Sequence, residues 1–221
     1  LYSSAASDVY KRQAHTLLAD VKFLYDWDWQ GAEKEFKRAI ELNPGQAISH
    51  QYYGLYLSAM ARHEEALAEI RRAQELDPLS LSINQTVGVV LRFAREYDLS
   101  IKQLKETVEL DPNFAWAHWS MGEAYLQNSM FEEAIASFQK GLILSGDSSI
   151  IKVDLARGFA LAGKNDEGRK ILNDLLKQSK EKYVSPYNLA AIYASLGSKD
   201  KAFDYLEMAF EERSNNLAYL K

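Results

Sequence analysis

Gly158-Phe159-Ala160-Leu161-Ala162-Gly163-Lys164-Asn165 spells glycine, four residues, glycine and lysine, the outline of a loop that cradles phosphates with backbone N–H groups. The chemistry is incomplete: such a loop needs Ser or Thr after the lysine to hold magnesium and a strand before it, and here Asn165 follows. The four histidines, His15, His50, His63 and His118, include no pair at the helical spacing that sets two metal ligands on one face. His50 and His118 read as packing or rim residues. Zero cysteines remove thiol nucleophiles, disulfides and cysteine-based zinc sites, and leave cytoplasm and periplasm both open. The carboxylate pairs Glu64-Glu65 and Glu132-Glu133 have the right types for general acid/base work, but they fall where helices open, and there negative charge is favoured by the helix dipole. Asn84-Gln85-Thr86 fits a glycosylation acceptor and lies within a predicted helix rather than a loop. The expectation is no catalytic residue, no cofactor and no metal.

What positions these residues is a period. Gly54, Gly88 and Gly122 recur at one constant step, and the same step lands on Ala156 and Ala190. A second column in phase reads Ala32, Ala66, Ser100, Ala134, Gly168 and Ala202, and a third reads Phe36, Ile70, Leu104, Phe138, Leu172 and Leu206. A small residue is needed where two helices cross so closely that a side chain would hold their backbones apart. Three places after it, Leu57, Leu91, Tyr125, Phe159 and Tyr193 fill the space beside the crossing. Leu42-Asn43-Pro44, Leu76-Asp77-Pro78 and Leu110-Asp111-Pro112 repeat one stop signal, because proline disfavours helical geometry in the residue before it. Ser145-Gly146-Asp147 replaces that signal with a helix-ending glycine. Lys180 and Ser214 stand at the proline place of the last two periods, so those ends are less sharply defined.

This spacing, with these residue types, resembles the tetratricopeptide repeat, a helix-turn-helix unit of about 34 residues that stacks into a solenoid. The resemblance implies an all-α fold, a right-handed α-α superhelical solenoid of about six repeats and about twelve helices. It covers residues 14–221, with repeats starting near 13, 47, 81, 115, 149 and 183. The first repeat departs from the pattern, with Asp20 at the small eighth place. Such repeats need polar caps at the ends, and none is evident, so the array is expected to be truncated at both ends and to come from a longer protein. Residues 3–13 resemble the in-frame translation of a transposase-based sequencing adaptor, and residues 1–13 are excluded from the fold reasoning as an artefact.

In this family, places two, five, nine and twelve of each repeat line the concave groove. The resemblance therefore assigns to a candidate protein-binding groove Gln51, Leu55, Gln85, Val89, Arg92, Trp116, Trp119, Glu123, Arg157 and Tyr187. An apolar floor with aromatic anchors and sparse polar groups suits a bound peptide. The alternative is that each tryptophan packs against the adjacent helix. Trp27 and Trp29, in Tyr25-Asp26-Trp27-Asp28-Trp29, are expected to cover the apolar end of the stack. Chaperone-binding members of the family hold a terminal carboxylate with Lys, Asn and Arg at places five and nine. Of those places only Arg157 fits, so that clamp is rejected.

With 47% hydrophobic and 26% charged residues, the chain reads as globular. It has no apolar run approaching the roughly 18 residues of a membrane helix, so no span is expected in this segment. A net charge of −5 argues against nucleic-acid binding, since phosphate contacts need a basic footprint. Tyr25-Asp26-Trp27-Asp28-Trp29, Tyr53-Gly54-Leu55-Tyr56 and Val184-Ser185-Pro186-Tyr187 are similar to the C-terminal repeat region of large bacterial signalling proteins, whose winged-helix, kinase or cyclase domains lie upstream. The reading that follows is a non-catalytic module that binds a protein or peptide partner. Self-association or a spacer role, and an accessory region of an enzyme whose catalytic domain lies elsewhere, are the alternatives.

Overall fold

A computed structural model describes residues 14–219, and the adaptor-like segment lies outside the described residues. Helices come in pairs. The first, α1, covers residues 14–26 of the described chain, and its last five residues, Lys22–Asp26, wind as a π-turn. Then follow α2 (Trp29–Leu42), α3 (Ala47–Ala59), α4 (His63–Leu76), α5 (Leu81–Phe93), α6 (Tyr97–Leu110), α7 (Ala115–Gln127), α8 (Phe131–Leu144), α9 (Ser149–Leu161), α10 (Asn165–Gln178), α11 (Pro186–Ser195) and α12 (Lys199–Glu211). Among the described residues there is no strand, and no helix is long and apolar enough to cross a membrane.

The chain divides into two compact bodies. The first holds the described residues through Glu96 together with Ala218 and Tyr219, and the second spans Tyr97–Leu217. In the first, α3 packs on α2, α4 and α5; in the second, α9 packs on α7, α8, α10 and α11. Odd-numbered helices thus stack on one another within each body, and the even-numbered ones close the hairpins.

The small column is where the hairpins cross. A Cβ added to Gly122 would lie 2.5 Å from two ring carbons of Phe138, which is wholly buried. At Gly54 it would meet the Ala66 carbonyl oxygen at 3.3 Å. The facing column, Ala32, Ala66, Ser100 and Ala134, is fully buried, as are Ile70, Leu104 and Phe138 of the third. Leu206, the last of that column, is only half-buried.

The turns inside the hairpins share one backbone conformation, which the sequence marks with glycine at two of six places. Trp27, Ala61, Arg95, Ser129, Gly163 and Gly197 all have positive φ, and they too recur at the step of the glycine column. In five repeats the next residue closes a Schellman bond to the large residue beside the crossing: Arg62 N–H to Leu57 O at 2.9 Å, Glu96 to Leu91 at 2.9 Å, Met130 to Tyr125 at 2.9 Å, Lys164 to Phe159 at 2.8 Å and Ser198 to Tyr193 at 2.9 Å. In the first repeat the π-turn lengthens that loop by one residue, and Asp28 N–H reaches Lys22 O instead. Only two of these six left-handed places carry glycine, so the other four bear a Cβ against its steric preference.

Between repeats the proline signal acts as expected: Asn43 (φ −152°) and Asp77 (φ −144°) leave the helical region ahead of Pro44 and Pro78. The carbonyl of that proline is then taken up by place four of the next repeat. His50 Nε2 donates to Pro44 O at 3.0 Å, Asn84 Nδ2 to Pro78 O at 2.8 Å and His118 Nε2 to Pro112 O at 3.0 Å. His50 also places Nδ1 2.6 Å from Glu69 Oε2. The Glu69 bond raises the His50 pKa against the effect of burial, and the Pro44 bond adds to it, because an imidazolium donates to both oxygens. The buried Asn84 amide is committed here, and glycosylation does not fit such a site. Where the proline is missing, the fifth repeat ends in a longer connection. Its successor α11 starts at Pro186, past the periodic start at Tyr183, because proline suits the first helical turn.

Two outcomes test this account. Gly122→Ala should lower stability by about 1–3 kcal/mol, because the ring of Phe138 has no room to retreat, and urea denaturation would show it. Ala61→Gly should raise stability by about 0.5–1 kcal/mol through relief of the left-handed conformation, read as a higher denaturation midpoint.

Candidate functional site

The ten candidate residues fall in two sets. Gln51, Leu55, Gln85, Val89 and Arg92 belong to the first body, and Trp116, Trp119, Glu123, Arg157 and Tyr187 to the second. Gln51 is 7% exposed, and its Nε2 donates to Thr86 Oγ1 at 2.8 Å and Ser82 Oγ at 2.9 Å. It stitches α3 to α5. Leu55, Gln85 and Val89 are half-buried, and Arg92 is buried with its guanidinium 5.0 Å from the centroid of the Phe93 ring.

The second set converges on a residue that the groove pattern leaves out. Asp154, on α9 one turn before Arg157, is buried. Its Oδ2 accepts from Trp119 Nε1 at 2.7 Å, and its Oδ1 from Arg157 Nη1 at 2.6 Å. Arg157 Nη1 also reaches Glu123 Oε1 at 3.3 Å. The Trp116 and Trp119 rings stand edge to face, 5.5 Å between centroids. Helical spacing explains the set: Trp116, Trp119 and Glu123 are separated by steps of three and four on α7, and Asp154 and Arg157 by a step of three on α9, so each group shares a face. The sequence signal for Asp154 is a lone acid inside the apolar run Val153-Asp154-Leu155-Ala156. Such a residue is buried only with partners.

Electrostatics follow from burial. Desolvation, then the nearby Glu123 charge, pushes the Asp154 pKa up to about 6, while Arg157 and the Trp119 bond oppose the rise. Burial works against the charged Arg157, but Glu123 and Asp154 outweigh it and hold its pKa above the ordinary value. Burial raises the Tyr187 hydroxyl, which also feels Arg157, Glu123 and Asp154. Both oxygens of Asp154 are occupied, and Arg157 is shared between two carboxylates, so this arginine is committed and not held in reserve to clamp a ligand carboxylate. The most exposed member of the cluster is Trp116, 39% exposed, and the Arg157 side chain is 30% exposed.

Several sequence candidates resolve into structure. Gly158 to Leu161 end α9, Gly163 (φ 78°) makes the turn and Asn165 opens α10; Lys164 Nζ lies 2.7 Å from Glu132. The phosphate-loop outline is a helix end. Glu64, Glu65, Glu132 and Glu133 occupy the first turns of α4 and α8, and Glu65 pairs with Arg62 at 2.6 Å. Trp27 is half-buried at the first turn, and Trp29 is exposed at the start of α2. A shallow cavity of about 390 Å³ on the first body is lined by Lys37, Glu41, Tyr53, Leu57, Glu65 and Glu69. Among the described residues, no group of three His, Asp or Glu could hold a metal.

The buried Asp154 supplies a test. Its folded pKa lies above the unfolded 3.8, so no penalty exists while it is protonated in both states; the penalty grows as pH rises from about 4 to about 6 and is constant above. The difference in melting temperature between Asp154→Asn and the parent chain should therefore shift in favour of the variant by about 5 °C between pH 4 and pH 7. A difference independent of pH would contradict the assignment.

Residues 96–129 match the family model described as TPR repeat, and residues 187–216 the model described as tetratricopeptide repeat. Among curated proteins none matches the sequence. The fold is similar to that of TTC0263, a thermophilic TPR protein of Thermus thermophilus, at 21% identity and a TM-score of 0.70, covering 84% of this chain and 98% of that one. It is similar to pilF of Pseudomonas aeruginosa at 19% identity and 0.63, with 90% of each chain covered. A tetratricopeptide repeat protein of Parabacteroides merdae gives 19% and 0.60, with 91% of this chain and 80% of that one covered. The chain thus carries tetratricopeptide repeats and has the all-α, solenoid-class fold of proteins built from them.

Proposed function

We propose that the chain is a non-catalytic protein-interaction module of a larger bacterial regulatory protein, and that its second body binds a peptide segment or partner domain against α7 and α9. The observation that carries this reading is the exposed Trp116 ring, held edge-on to a Trp119 whose indole N–H is tied to Asp154. A pre-oriented aromatic face loses little rotamer freedom on binding, which is how tryptophan comes to dominate interfaces. Around it the polar groups are already paired with one another, so the partner should present apolar or aromatic surface rather than a free carboxylate. The net charge of −5 supports a protein rather than a nucleic-acid partner. The regulator context rests on the resemblance of the segments around Trp27, Tyr53 and Pro186 to such repeat regions.

A specific observation supports self-association as a second reading. On α12, Phe203 and Phe210 are 65% and 64% exposed and two helical turns apart, so they share a face. A strictly monomeric mass by light scattering at all concentrations would sink it.

Trp116→Ala leaves the buried Asp154 network in place and should cut recovery of specific partners in affinity capture by about tenfold or more. Unchanged recovery of every partner would overturn the groove reading.

A further inference from the structure

Ala218 and Tyr219 close the short 3-10 turn Asn215–Tyr219, and both belong to the first body. Ala218 is 3% exposed within the core cluster that contains Phe23, Tyr56 and Leu57. The Tyr219 ring meets Phe23 edge-on with centroids 5.4 Å apart, and stacks on Phe93 at 6.1 Å with an interplanar angle of 28°. Phe23 is itself edge-on to Tyr56 at 5.4 Å, and the Arg92 guanidinium lies 5.0 Å from the Phe93 centroid. Burial raises the Tyr219 hydroxyl pKa, and Asp20 and Tyr52 raise it further, so both of these flank the phenol. Asp20 is the residue that breaks the small-residue column in the first repeat. In the first repeat Ala19, wholly buried, takes the small place because the π-turn shifts the register by one, and Asp20 next to it faces a tyrosine from the far end of the sequence.

An aromatic side chain seated between two rings, beside a small one in a tight apolar site, is an anchor of the kind that dominates binding interfaces. We propose that this socket on the first body, made by Phe23 and Phe93 and flanked by Asp20 and Tyr52, recognises a peptide segment carrying the pair Ala-Tyr. The chain's own Ala218–Tyr219 is its resident occupant, and a partner segment of the same chemistry exchanges with it. The site is separate from the Trp116 face of the second body, and either can fail without the other.

The probe is a fluorescein-labelled peptide of residues 214–221, titrated against the full chain by fluorescence anisotropy. A tethered occupant competes at an effective concentration on the order of mM, so Tyr219→Ala should bind the peptide at least about tenfold more tightly than the parent chain. Adding Phe93→Ala should abolish that gain, a peptide with alanine at the tyrosine place should not bind, and Trp116→Ala should leave the peptide affinity unchanged. Equal affinity of the parent chain and Tyr219→Ala, or binding to neither, would overturn the proposal. Should Tyr219→Ala lose its cooperative melt, hydrogen exchange of the parent chain decides: excess unlabelled peptide should speed exchange of the amides of residues 215–219, and unchanged rates would refute exchange at the socket. A dimer in sedimentation at the titration concentrations would assign the occupant to a second copy and overturn its assignment to the same chain.

Discussion

The rest of the structure depends on how closely two helices of a hairpin can approach. At Gly122 the approach is so tight that a methyl group would sit 2.5 Å from the Phe138 ring, and the facing column of Ala32, Ala66, Ser100 and Ala134 is sealed from solvent. Once that crossing is fixed, the large residue three places on has to fill the space beside it, and its carbonyl becomes the acceptor for the Schellman bond that ends the helix. Packing and turn are therefore one device. A repeat of this kind buries its apolar face only against its neighbours, which is why the same spacing recurs rather than a single central core.

Polar groups act as the fasteners between those apolar contacts. Place four returns to the proline carbonyl of the preceding turn through His50, Asn84 and His118, so that two imidazoles and an amide do one job. Gln51 stitches α3 to α5, and Asp154 does the corresponding work between α7 and α9 while also aligning Trp119. The second arrangement differs in kind, because a buried carboxylate must be partnered at both oxygens. Its partners, an indole and a guanidinium, are large and reach toward the surface. Structural satisfaction of one acid thereby sets the aromatic face that the functional reading uses.

Each body has a focus of its own. In the second it is the Trp116 and Trp119 pair above the Asp154 cluster, and in the first the aromatic group of Phe23, Tyr56, Phe93 and Tyr219. The groove pattern read from the sequence draws one line of candidates through both. Gln51 shows why such a line overreaches: a place in the register says which way a residue points, and a neighbour with a hydroxyl at the right distance then takes it out of play.

By itself the sequence determined the all-α repeat architecture, since small and large columns at a fixed period follow from helix geometry and close packing alone. It also placed the proline-marked ends, because the restriction on the residue before proline is local. Only the tertiary structure decided the left-handed turns at Ala61, Arg95 and Ser129, where no glycine announces the conformation and the packed hairpin imposes it. It alone brought Asp154 to Trp119, across one repeat, and Tyr219 to Phe23, across nearly the whole chain. Periodicity is a property of neighbours along the chain. Which side chains meet across helices depends on shape and on the need to satisfy each buried polar group, and those are settled only when the helices are in place.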